Sequence, residues 1–182
     1  MLQQYAVVQA IQVVLSRPNR AFSVRGLAKE AEISHGASRE ALSFMKKKGI
    51  VSLDIVGRTY QYRASLESPL CRQWKILFNL DLLADSGVAE ELLKKIPHIH
   101  SILLYGSFAK GTNDEKSDID LLVIAHRPAK PGVGFAGKIK REVNLSILSL
   151  GEWKRKAEKE KAFYDNVIYD SIPLFGERPV VL

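Results

Sequence analysis

The chain has 182 residues, of which 46% are hydrophobic and 26% charged. That is the composition of a soluble globular protein with room for two modest cores. No apolar run is long enough to span a bilayer, so no membrane partner is expected. The N-terminal stretch lacks a basic region followed by a small-residue cleavage site, and a cytoplasmic location is expected. A single cysteine, Cys71, excludes an internal disulfide and a cysteine-rich zinc site, while His35, His98, His100 and His126 are too scattered to suggest a histidine metal cluster. The net charge of +7 is unevenly spread: residues 1–66 carry ten Lys/Arg against four Asp/Glu, and the remainder seventeen against sixteen. The N-terminal third therefore suits a polyanion, or presents a solvated basic surface.

Taken in order, Leu2 to Ser16 places Tyr5, Val8, Ile11, Val14 and Leu15 at helical spacing before Pro18. A second short helix over Val24 to Ala31 has Ser23 as its N-cap candidate, and a third, opened by Ser34, runs through Lys48 to a stop at Gly49. Ile50 to Val56 and Thr59 to Arg63 then alternate as strands around the turn Gly57-Arg58. Three helices and a hairpin in a basic segment resemble the winged helix-turn-helix domains of prokaryotic transcription regulators, across VRGLAKEAEISHGASREALSFMKKKGIVSLDIVGRTYQYRAS. The resemblance implies DNA as a partner, with His35, Gly36, Ala37 and Arg39 of the third helix near bases or phosphates and Arg58 at the tip of the wing. Glu40 opposes phosphate on that helix, and such domains also serve in protein interaction and dimerisation.

Apolar residues at helical spacing follow, from Trp74 to Leu83 and again at Val88, Leu92 and Leu93. They read as core or as the face of a homodimer. Residues 67–96 are thus connecting helices between a first domain at 1–66 and a second at 97–182.

In the second domain the apolar strand Ser101 to Tyr105 runs directly into Gly106-Ser107 and a short helix ended by Gly111. A glycine turn into a helix leaves backbone N–H groups free for phosphate, with the Ser107 hydroxyl and the Lys110 ammonium nearby. Ser117 to Ile124 reads as a buried strand with an acidic start. Residues two apart in a strand share a face, so Asp118 and Asp120 converge beside the phosphate cradle, as a magnesium-dependent phosphoryl or nucleotidyl transfer requires.

The segment LLYGSFAKGTNDEKSDIDLLVI, with ten residues between Gly-Ser and Asp-x-Asp, resembles the polymerase-beta nucleotidyltransferase superfamily in its minimal form, over about residues 97–176. The resemblance implies a nucleoside triphosphate at Gly106 and Ser107, with Mg2+ held by Asp118 and Asp120. It also implies a third carboxylate, general base and metal ligand, on the next strand, Arg141 to Leu148. There Asn144 occupies the aligned place, and an amide cannot accept the acceptor's proton. Glu142, one step along the same face as Asn144 and Ser146, either replaces it as a catalytic group or is a surface glutamate.

Ser149 and Glu152 form a capping box before a helix from Leu150 to Lys161, with Phe163, Tyr164, Val167 and Ile168 packing on the sheet and Ile172 to Phe175 as a closing strand. Pro131-Gly132-Val133-Gly134 reads as a break, and Lys138, Lys140 and Arg141 as phosphate contacts or solvated charges.

The expected fold is α/β (α+β): an N-terminal winged helix-turn-helix, then a small mixed-sheet nucleotidyltransferase domain with flanking helices. Two functions follow. One is an enzyme that transfers NMP from an NTP to a hydroxyl acceptor with Mg2+ while the winged helix binds DNA. The other is a DNA-binding transcriptional regulator whose second domain is a weak or inactive nucleotide-binding module.

Overall fold

The computed structural model describes residues 5–127, 139 and 141–181. The expected helical residues Leu2 to Gln4, the break at Pro131 to Gly134, and Lys138 and Lys140 lie outside them. The chain divides into two compact units, one comprising residues up to Phe78 with Asp114–Lys116, the other Asn79–Asn113 with Ser117 onward. Together they form a mixed α and β structure with two separate sheets. Among the described residues no helix is long and apolar enough to cross a membrane.

The first unit opens with α1 (Ala6–Ser16), α2 (Val24–Glu30) and α3 (His35–Lys47), followed by the hairpin β1 (Val51–Val56) and β2 (Thr59–Ala64). Ile11, Val14 and Leu15 of α1 are buried with Leu27 of α2 and Leu42 and Met45 of α3, so the three- and four-residue spacings become one core. Two serines start the helices as expected: Ser23 accepts from the Gly26 N–H and Ser34 from the Ala37 N–H, each at 3.1 Å. Buried Ser38 ties α3 to α2 by donating to the Val24 carbonyl at 2.8 Å. The hairpin is antiparallel with Val56 opposite Thr59, and Phe22 joins it through paired backbone bonds with Tyr62. Helix α4 (Pro69–Ser86) contributes Cys71 and Phe78 to the same core. Its Lys75 is 3% exposed and spends its ammonium on the Leu15 carbonyl at 2.8 Å, satisfying one of the acceptors that a helix C-terminus leaves free.

The second unit takes the rest of α4, which breaks at Gly87, then α5 (Val88–Lys95), β3 (Ile99–Tyr105), α6 (Gly106–Lys110), β4 (Ile119–Ala125), β5 (Val143–Leu148), α7 (Leu150–Lys159), α8 (Lys161–Asp170) and β6 (Ile172–Gly176). The sheet order is β5-β4-β3-β6, with β4 and β5 parallel and the other pairs antiparallel. This is the expected mixed sheet. One face, with Ile102, Leu104, Leu121 and Val123, is buried with Leu83, Val88, Leu92 and Phe108. The opposite face, with Leu103, Leu122 and Ile124, is covered by Trp153 of α7 and Val167 of α8.

Two expectations need correcting. The helix expected from Leu150 to Lys161 ends at Lys159, because the backbone leaves helical geometry at Glu160 (φ −124°, ψ 56°), and a further helix, α8, carries Phe163, Tyr164, Val167 and Ile168. No Gly or Pro marks that break, so a periodic reading runs through it. The capping box is present as expected, with Ser149 and Glu152 bonded reciprocally. The strands expected from Ser117 and Arg141 begin later, at Ile119 and Val143.

Candidate active site

The register of three strands builds the site. Tyr105 at the end of β3 stands opposite Asp120 of β4, which stands opposite Asn144 of β5. Directly paired residues project to the same side of a sheet, so these side chains form one row. The next row on that face, Leu103, Leu122 and Ser146, runs into the apolar cover of Trp153 and Val167. The row between them faces the other way, as Leu104, Leu121 and Leu145 in the opposite core. Polar residues thus occur on this face where the apolar cover ends.

Asp118 lies just before β4 begins, two residues ahead of Asp120. The Asn144 amide nitrogen donates to both carboxylates, at 3.4 Å to Asp118 Oδ2 and 3.2 Å to Asp120 Oδ1. A single atom thus reaches both acids. Gly106 closes the site on the β3 side. Its φ is +71°, and a Cβ there would collide with the Asp120 carboxylate. Only glycine provides both the backbone turn and the space. Ser107 is partly exposed, and its carbonyl accepts from the Thr112 N–H at 3.0 Å, which tightens the turn after α6.

The loop from α6 to Asp118 is held from two directions. Buried Asn79 donates to the Phe108 carbonyl at 2.8 Å and to Asn113 Oδ1 at 3.0 Å. Arg141 donates to the Ser117 carbonyl at 3.0 Å and lies over the Phe108 ring, 5.3 Å from its centre. The Ile119 N–H bonds to the Glu142 carbonyl at 2.9 Å, which joins the β4 entry to the β5 entry. Tyr105 packs edge-on against Phe163 at 5.6 Å. Burial pushes its phenol above the ordinary value, a hydrogen bond from Ser146 opposes that shift, Asp120 adds to it, and Lys156 again opposes it.

The expected site residues are therefore distributed as follows. Gly106, Asp118 and Asp120 come together, with Asn144 completing their row. Lys110 forms an ion pair with Asp170 at 2.8 Å, so its ammonium meets the end of α8. Glu142 lies one residue before β5, exposed, and contributes its carbonyl rather than its carboxylate to the described contacts. In the first unit His35, Gly36 and Arg39 are exposed on the first turns of α3, Ala37 is half-buried behind the Ser34 cap, and Arg58 is exposed at the hairpin tip. Tyr105, Asn79 and Asn113 were not anticipated. The alternation Leu103, Tyr105 could have flagged the first, whereas nothing local links Asn79 to Asn113.

The donor set suits a hard divalent cation. Two carboxylates and an amide, which carries an oxygen besides its nitrogen, are the ligand types magnesium takes. The missing Cβ of Gly106 leaves the room that the Asp120 carboxylate fills.

Residues 86–171 match the nucleotidyltransferase domain family. The matched span contains β3 through α8 and hence every residue of the row. No curated protein matches the sequence. Among solved structures, a proposed nucleotidyltransferase of Sulfolobus solfataricus is similar at 20% identity and a TM-score of 0.35, covering 61% of this chain and 94% of that one. TrmBL2, an archaeal chromatin protein with a novel mode of DNA binding, is similar at 17% identity and a TM-score of 0.30, covering 87% of this chain and 70% of that one.

Proposed function

We propose that the second unit binds a nucleoside triphosphate with Mg2+ and transfers its NMP to a hydroxyl acceptor, and that the first unit is a winged helix that binds DNA. The convergence of Asp118 and Asp120 beside Gly106 carries the first part. The bound cation would supply charge neutralisation at the phosphates. The chain's own residues would do the positioning: Gly106 and Ser107, both half-buried, would meet the phosphates, and Asp118 and Asp120 would hold the cation. The family match over residues 86–171 supports this reading. For the DNA part, the support is the basic balance of residues 1–66 and the exposure of Arg39 and Arg58.

Asn144 favours a second reading, a DNA-binding regulator whose nucleotide site is weak or inactive. The residue across from Asp120 has no basic oxygen to take a proton from the acceptor. Transfer of α-labelled NTP into acceptors of a cell lysate separates the two. The enzyme reading expects label transfer by the wild type and none by the double variant Asp118→Asn/Asp120→Asn. Absence of transfer, with Mg2+-dependent nucleotide binding intact, would select the regulator. Gel-shift on genomic fragments tests the DNA part, with loss expected when Arg39 and Arg58 are both changed to alanine.

A further inference from the structure

The number of carboxylates at this site limits how many cations it holds, an inference that rests on the nucleotide-binding reading above. Among the described residues, Asp118 and Asp120 have no third acidic companion, and no group of three His, Cys, Asp or Glu side chains is placed to hold a metal ion. The residues outside the description between β4 and β5 cannot supply one, since the sequence has no Asp or Glu from Leu121 to Arg141. Glu142 is exposed and precedes the strand. The position that completes the row is an amide.

Sites that hold two divalent cations place them about 3.5–4 Å apart, with anionic oxygens to screen one from the other. Two carboxylates supply two negative charges and the triphosphate adds its own, so what is missing for a second cation is a third anionic side chain to hold it. The contacts of Asn144 show how the site manages with that charge. Its N–H groups reach both acids, and donors placed there offset the repulsion of two neighbouring carboxylates. With a cation between the acids the same side chain has a neutral oxygen to offer, which is a ligand but neither a charge nor a base.

We propose that Asp118, Asp120 and Asn144 hold one divalent cation per bound nucleotide, and that the lack of a carboxylate at position 144 keeps a second one out. The site then retains its nucleotide without activating an acceptor hydroxyl through a second cation or a side-chain base. Turnover requires an acceptor, or a partner, that brings its own base.

Equilibrium dialysis with Mn2+ and a non-hydrolysable nucleoside triphosphate analogue counts the cations directly, as manganese retained per nucleotide retained on the full chain. The expected ratio is one for the wild type and for Asn144→Ala, and two for Asn144→Asp. A ratio of two in the wild type, or of one in Asn144→Asp, overturns the proposal. No retention of the analogue by the wild type at any Mn2+ concentration overturns the nucleotide-binding reading itself. Thermal melting provides an independent readout. Asn144→Asp should melt below the wild type without cation, because a third acid joins the row, and should gain more than the wild type when Mn2+ is added. An equal gain in both proteins counts against the assignment.

Discussion

In the second unit each residue at the heart of the candidate site has a neighbour that dictates where it points. Asp120 lies against Gly106 and Asn144, and the loop leading to Asp118 is held by Arg141 and Asn79. In the first unit the candidate residues His35, Arg39 and Arg58 are exposed, and what is held is the backbone beneath them, through the Ser34 cap and the Ser38 bond to α2. The contrast separates two ways of building function. A site made by sheet register depends on the interior behind it, whereas a charged surface depends on little beyond its own side chains and a scaffold that presents them.

The largest effect should come from the interior of the second unit. Trp153 is 1% exposed, donates its indole N–H to the Pro179 carbonyl at 2.6 Å, and packs on Phe163 and Tyr164 under the face that bears Asp120. Trp153→Ala should cost about 3–5 kcal/mol in denaturant unfolding. Nucleotide affinity measured on the folded fraction should fall with it. Unchanged affinity would show that the row does not need this face, and the contrast would fail on that side.

Next comes the site itself. Asp120→Asn should weaken Mg2+-dependent triphosphate binding by about a hundredfold or more, equivalent to about 2.7 kcal/mol. Stability should hold or rise, because the repulsion between the two acids disappears. Calorimetric titration alongside denaturation separates these effects. A variant that loses stability and binding together would mean that Asp120 is structural.

How much of this was legible in the sequence follows the same division. Period-two alternation predicts one face for Asp118 and Asp120, whereas β4 begins between them at Ile119; the register of β4 with β5 sets Asn144 beside Asp120, as the aligned strand suggests. Helix starts were readable because Ser23, Ser34 and Ser149 act on the backbone three residues away. Two features had no local signal. The Asn79 to Asn113 bond joins residues 34 apart, and the helix break at Glu160 occurs in a run of charged residues with no breaker. Nor does any local pattern announce that Ser117, outside β4, meets Arg141 from a distant part of the chain.

For the first unit, changing Arg39 and Arg58 together to alanine should leave unfolding within about 0.5 kcal/mol of the wild type, as exposed substitutions usually do. DNA affinity should drop, and the slope of log affinity against log salt should shrink by about two, roughly one for each phosphate contact removed. A large stability loss would mean that these arginines belong to the scaffold. An unchanged salt slope would move DNA recognition off α3 and the hairpin tip.

The smallest effect compares the two units through helix caps of the same kind. Ser34 and Ser149 each accept a backbone N–H three residues on, but only Ser149 has a reciprocal acid, Glu152. Backbone and side-chain bonds from Ser149 hold the Glu152 carboxyl below its ordinary value of 4.5. A carboxyl with a lowered folded pKa contributes its stability above the unfolded value, and that contribution disappears as pH falls through the folded one. Ser34→Ala should therefore cost about 1 kcal/mol with little dependence on pH. Ser149→Ala should cost more at pH 7, with the excess shrinking as the pH falls below 4.5. Melting both variants and the wild type across that range checks the difference. Parallel pH profiles for the two variants would mean that Glu152 adds nothing to the cap.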